Sequence, residues 1–107
     1  MELILVLTTM PDDDRADAIA RTLVDERLAA CVNVHGPMRS TYRWKGTIEV
    51  DAERQLIIKT TRERVPELQS RLHELHPYEL PEILVLDTEA SDKYGEWARD
   101  QLAIGNL

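Results

Sequence analysis

Only one cysteine, Cys31, occurs among the 107 residues, so no disulfide can close within the chain and a reducing compartment is expected. Long apolar runs are missing too. The opening "MELILVLTT" has five consecutive apolar residues and no basic start, which argues against both a membrane span and a signal peptide and favours a cytoplasmic protein. Positive charge is scarce: 13 Lys and Arg stand against 20 Asp and Glu, for a formal charge of -7. Without a basic stripe there is nothing to release counterions from nucleic acid, so cations are the more natural partners. A glycine-rich phosphate loop, a paired-cysteine or His-Glu zinc motif and a serine elbow are all absent, and nothing demands an enzyme. No linker, repeat or low-complexity segment divides residues 1–107, which read as one domain. With 43% hydrophobic and 31% charged residues, the composition is that of a soluble globular protein.

What is present is a regular alternation of periods. "ELILVLTT" (residues 2 to 9) suits a buried strand. From "MPDDDRADAIARTLVDERLAA" the spacing of Ala16, Ile19, Ala20, Leu23, Val24 and Leu28 predicts a helix with one apolar face, with Pro11 and Asp12 to Asp14 at its start. "CVNVHGPMRSTYRW" and "TIEVDAERQLIIKTT" are β-prone arms joined by Lys45-Gly46, where glycine supplies the positive φ of a tight hairpin. Gly36-Pro37 predicts a bulge or bend in the first arm, at a sheet edge. Val65, Leu68, Leu72 and Leu75 predict a second helix with Pro66 in its first turn, and "PEILVLDT" a last strand. Ser91 reads as the N-cap of a closing helix presenting Tyr94, Trp97, Ala98 and Leu102 on one side. The expected class is α+β: a ferredoxin-like βαββαβ fold with a long β-hairpin and a C-terminal helix. Two helices would cover one sheet face, and subunit assembly would cover the other.

The stretch "HPYELPEI" (residues 76 to 83) can be read as a helix stop followed by an X-Pro turn. It also gathers an imidazole, a phenol and two carboxylates, from His76, Tyr78, Glu79 and Glu82, a set suited to metal or polar-ligand binding. In "ACVNVH" the two-residue period puts Cys31, Asn33 and His35 on one face, with Cys31 and His35 about 13 Å apart, too far to share an ion within one chain. Cys31 reads most simply as a small buried apolar residue. Glu49, Asp51 and Glu53 alternate along the second arm and should share a side unless a bulge intervenes. Pairing across Lys45-Gly46 sets Trp44 opposite Thr47 and Tyr42 opposite Glu49. Lys59 has the same parity as the acids, which would put opposite charges in one polar pocket.

Taken together, "LAACVNV", "STYRWKG", the acidic spacing to "LIIKTT" and above all "HPYELPEI", in this order from "LTTMPD" to "YGEW", resemble the CutA family of divalent-cation tolerance proteins. The resemblance implies a tight homotrimer similar in build to the PII signalling proteins, with hairpins wrapping between subunits, clefts at the interfaces, and a link to Cu(II) or other divalent metals. Carried over residue by residue, it names His76, Cys31 and Glu79 as metal-ligating candidates and Tyr42, Trp44, Glu49, Glu53, Lys59 and Tyr78 as cleft residues. Copper-binding members can carry a cysteine at the end of the first strand and a histidine directly before His76, where this chain has Thr8 and Leu75. One thiolate and one imidazole are thereby missing from the donor set. The alternative that the resemblance offers is a PII-like signalling or scaffold module that binds a small ligand or a partner protein.

Overall fold

The computed structural model describes residues 1–103. Its elements run β1 (Glu2–Pro11), α1 (Arg15–Asp25), β2 (Cys31–Trp44), β3 (Thr47–Thr60), α2 (Val65–Leu75), β4 (Leu84–Glu89) and α3 (Asp92–Leu102), with a 3-10 turn at Arg62–Arg64 leading into α2. The four strands form one antiparallel sheet in the order β2-β3-β1-β4. An α+β architecture is therefore present, and β2 lies at the sheet edge as its Gly-Pro interruption predicts.

Alternation along β1 builds the core. Ile4, Val6, Thr8 and Met10 point to one face and are fully buried with Leu56 and Ile58 of β3, Ile19 and Leu23 of α1, and Leu68 and Leu72 of α2. Both helices thus cover the same face, each through residues three or four apart. The other face of β1 is treated differently at its two ends. Near its start, Leu3 is capped by Ala98 and Leu102 of α3. Farther along, Leu5 pairs with Leu86, and Leu7 with Leu84 and Ile57. Leu84 and Leu86 remain exposed.

Several boundaries differ from expectation for local reasons. Pro11 ends β1 rather than opening α1, and Asp13 caps the turn by accepting the Arg15 backbone N–H at 3.0 Å. The Arg15 guanidinium also holds the Asp13 carboxyl down to about 2. Helix α1 stops where Arg27 takes a left-handed φ of 59°, so Leu28 reaches the core from beyond the helix and Val24 stays exposed. Ser91 does sit at the N-cap of α3, but its side chain makes no capping bond. That helix buries Gly95, Ala98 and Leu102, while Tyr94 and Trp97 pack on each other, centroids 5.5 Å apart, and stay largely open to solvent.

The hairpin gives the molecule its shape. Lys45 and Gly46 both have positive φ, 49° and 81°, as a two-residue type I′ turn requires. Trp44 pairs with Thr47 and Tyr42 with Glu49. Arms of 14 residues each are more than twice the usual strand length, and the principal extents are 50 × 25 × 22 Å. The outer half of the hairpin, Arg39 to Ala52, runs beyond the helices.

Candidate functional site

The pairing of β2 with β3 shifts between His35 and Met38, and Gly36, at φ 132°, stands there with only 3.0 to 3.2 Å between an added Cβ and Arg54 or the Glu53 carbonyl. A side chain at residue 36 would therefore have to push the partner strand away. The bulge coincides with a change of burial pattern along β3. Thr60, Ile58 and Leu56 are buried at two-residue steps, but the next buried position is Glu53, three residues on. The shift lies in β2, where Gly36 and Pro37 face Arg54 alone, so even-numbered residues of its outer half share a side with the odd-numbered residues of β3. Glu53 and Asp51 stand next to the "HPYELP" turn, with Glu49 farther out along the arm.

That turn is fastened at two points. Pro77 forces His76 out of the helical region, to φ -70° and ψ 133°, and the imidazole folds in beneath β1, only 8% exposed. His76 Nε2 lies 2.9 Å from the Thr9 carbonyl oxygen and 3.0 Å from Thr8 Oγ1, and Nδ1 lies 3.1 Å from the Tyr78 backbone nitrogen. A carbonyl only accepts and an N–H only donates, so Nε2 carries the proton and Nδ1 accepts from Tyr78. Burial disfavours the charged imidazolium and lowers the His76 pKa. The second fastening is Tyr78, whose ring lies 5.1 Å from the imidazole and whose hydroxyl donates to Glu53 Oε2 at 2.6 Å.

One strand position outward, the Tyr42 hydroxyl donates to Asp51. That bond, with the charges of Glu49 and Glu53 nearby, pushes the Tyr42 pKa up to about 12. Burial and the Glu53 bond raise that of Tyr78 as well. Between arm and turn opens a cleft of about 750 Å³ lined by Tyr42, Trp44, Lys45 and Asp51 of the arm and by Pro77, Tyr78, Glu79 and Leu80 of the turn. Its chemistry is aromatic and acidic.

The structure thus brings together Tyr42, Trp44, Tyr78 and Glu79, with Glu49 and Glu53 in the adjoining acidic row and His76 as the anchor behind them. Two candidates lie elsewhere. Lys59 pairs with Leu5 and Cys31 on the sheet face away from α1 and α2, six residues inward of Glu53 and outside the cleft. Its ammonium rests 5.9 Å from the Tyr94 ring centroid. Cys31, half-buried, is on that same far face, with the sheet between its thiol and His76. No group of three or more His, Cys, Asp or Glu side chains able to hold a metal ion occurs among the described residues. Both nitrogens of His76 are already engaged, and Asp51 and Glu53 each have an oxygen taken by a tyrosine. One chain alone does not fit a divalent metal.

Sequence reasoning did not foresee that Thr8 meets His76.

Comparison with known proteins follows the same outline. The family described as "CutA1 divalent ion tolerance protein" matches residues 4–101. The chain is 44% identical over 97 residues to the divalent-cation tolerance protein CutA of Thermus thermophilus, covering 90% of this chain and 94% of that one. It is 38% identical over 98 residues to the chloroplastic protein CutA of Arabidopsis thaliana, covering 91% of this chain but 54% of that protein, so it spans about half the length of the plant relative. The structure of CutA from Synechococcus elongatus PCC7942 superposes with a TM-score of 0.90 at 43% identity, over 95% of this chain and 91% of that one.

Proposed function

The chain belongs to the CutA1 divalent ion tolerance family, and from that premise we propose that it is a cytoplasmic, non-enzymatic cation-binding protein. It acts as a ferredoxin-like, PII-like homotrimer whose inter-subunit clefts bind Cu(II) or another divalent metal. The observation that carries the cation reading is the acidic row Glu49, Asp51 and Glu53, of which Asp51 lines the cleft with Glu79, Lys45 being the one basic side chain in that lining among the described residues. Assembly is supported by what one chain leaves uncovered. Leu84 and Leu86 on the far sheet face and Ile48 and Val50 on the arm are all exposed, Ile48 to 62%, an apolar surface that marks an interface.

A second copy supplies the donors that one chain lacks. His76 enters such a site as a ligand only by exchanging the Tyr78 N–H on Nδ1 for the ion, so its first role here is to position the turn. Glu79, exposed at the cleft, is the freer donor, and Cys31 contributes only across an interface on the other face. Calorimetric titration of metal-stripped protein with Cu(II) tests the metal reading. Binding at micromolar concentration or tighter, near one ion per subunit, is expected; its absence removes the metal. The PII-like small-ligand module is favoured instead by the engaged imidazole, and a thermal-shift screen with metabolites reports on it.

A further inference from the structure

We infer that His76 is not a metal ligand in this protein: with Glu53 it is a positioning residue, and together they hold Tyr78 at both ends as a fixed wall of the cleft. This rests on the reading of the cleft as the binding site and reassigns two of the residues that the family resemblance places there.

A ligating nitrogen must offer a free lone pair, and His76 offers none. Nε2 gives its proton to the Thr9 carbonyl at 2.9 Å, with the Thr8 hydroxyl 3.0 Å away, and the Nδ1 lone pair receives the Tyr78 N–H at 3.1 Å. The neutral ring has one donor and one acceptor, and both are used. Neither His76 nor Glu53 is in the lining of the cleft, whereas Tyr78 is. Their residues are 8% and 7% exposed, and Glu53 Oε2 takes the Tyr78 hydroxyl at 2.6 Å. A donor brought by a second copy would have to displace Tyr78 before it could share an ion with His76.

The local sequence explains why a histidine stands at this point. Pro77 carries no N–H, so the first N–H beyond the end of α2 is that of Tyr78, while the Thr9 carbonyl faces the turn from β1. One of these groups needs an acceptor and the other a donor. An imidazole in its Nε2–H form supplies both from one flat ring, which also packs on the Tyr78 ring, centroids 5.1 Å apart. The wall is thereby held at its backbone by His76 and at its hydroxyl by Glu53. Such a wall is ordered before any ligand arrives, which reduces the ordering cost of binding.

Two amides separate the roles. His76→Asn keeps an oxygen near the accepting Nδ1, His76→Gln keeps an N–H near the donating Nε2, and both remove the imidazole. The full chain, stripped of metal, is followed by NMR of the histidine ring nitrogens, by hydrogen exchange at the Tyr78 amide, and by titration with Zn(II) and Cu(II). His76 is expected as a single Nε2–H tautomer whose signals do not move when Zn(II) is added. Exchange at Tyr78 should stay slow in His76→Asn and become about tenfold faster in His76→Gln, the size of one lost hydrogen bond. Cu(II) affinity of His76→Asn should stay within about twofold, whereas removing even an outer partner of a metal ligand costs about 10–100-fold.

An Nδ1–H tautomer, or equal Tyr78 exchange in all three chains, overturns the inference. A Zn(II)-dependent shift of Nδ1, or a loss of about tenfold in Cu(II) affinity in His76→Asn with Tyr78 exchange still slow, also overturns it and leaves the metal reading intact. Binding of neither metal, with the expected tautomer and exchange pattern, supports the inference and removes the metal. The tautomer and the Zn(II) response are read on the unsubstituted chain, so they decide the matter even where a variant fails to fold.

Discussion

Strand β3 has two characters. From Leu56 to Thr60 every second residue is buried under α1 and α2, whereas from Thr47 to Ala52 nearly every residue is open and the apolar Ile48 and Val50 face solvent. The inner half is held by its own chain. The outer half is held by hydrogen bonds to β2 alone, and an isolated two-stranded ribbon is at best marginally stable in water. An arm of 14-residue strands with exposed branched side chains is left short of apolar burial by its own chain, and the cleft lies at the junction of the two halves. Body and arm thus differ in how much burial their own chain supplies, and that difference can be measured.

The largest contrast is expected between Leu72 and Val50. Leu72→Ala empties a fully buried position and should cost about 2–5 kcal/mol in denaturant unfolding. Val50→Ala in the dissociated chain should change stability by less than about 0.5 kcal/mol, yet lower the melting temperature of the assembled protein in a concentration-dependent way. Equal costs at the two positions in the dissociated chain would erase the distinction.

A smaller effect is expected at the junction. His76→Ala leaves the Thr9 carbonyl and the Tyr78 N–H without their imidazole partners, at about 1–3 kcal/mol for a buried group left unsatisfied. Chemical denaturation reads the loss, and a cost indistinguishable from zero would mean that the turn is held without its anchor.

The smallest effect is in the pH dependence of the same residue. The folded-state pKa of His76 lies below its ordinary value of 6.5 because burial disfavours the cation. Between the two values the unfolded chain binds more protons than the folded one, so stability increases with pH there. His76 therefore contributes fully above pH 6.5, and its contribution is lost as pH falls through the folded value. Melting curves should show His76→Gln with a flatter profile than the unsubstituted chain just below pH 6.5. Parallel profiles would assign the pH dependence to other groups.

Much of this plan was legible from residue pattern. The turn at Lys45-Gly46 is encoded by one glycine beside a residue that tolerates positive φ, and the pairing of Tyr42 with Glu49 followed by counting outward from it. Gly36-Pro37 announced a bulge, but its consequence did not follow from parity. The extra residue lies in β2, so it re-phases Tyr42 and Trp44 against the acids of β3, while Lys59 is kept from those acids by distance along the strand. Contacts distant in sequence, such as Thr8 with His76 or Tyr78 with Glu53, depend on how α2 delivers the turn to the sheet, which no local period specifies. Tyr94 and Trp97 were expected on the same side as Ala98, but Gly95 is pressed against Met1, and this close approach selects the small-residue face of α3 for burial.

The central claim is that the arm and the far sheet face are completed by other copies of the chain. Multi-angle light scattering at micromolar concentration tests it most directly. The account predicts a mass three times that of the 12.3 kDa chain, persisting on dilution. A monomer at that concentration would contradict it, leaving the exposed arm without a partner.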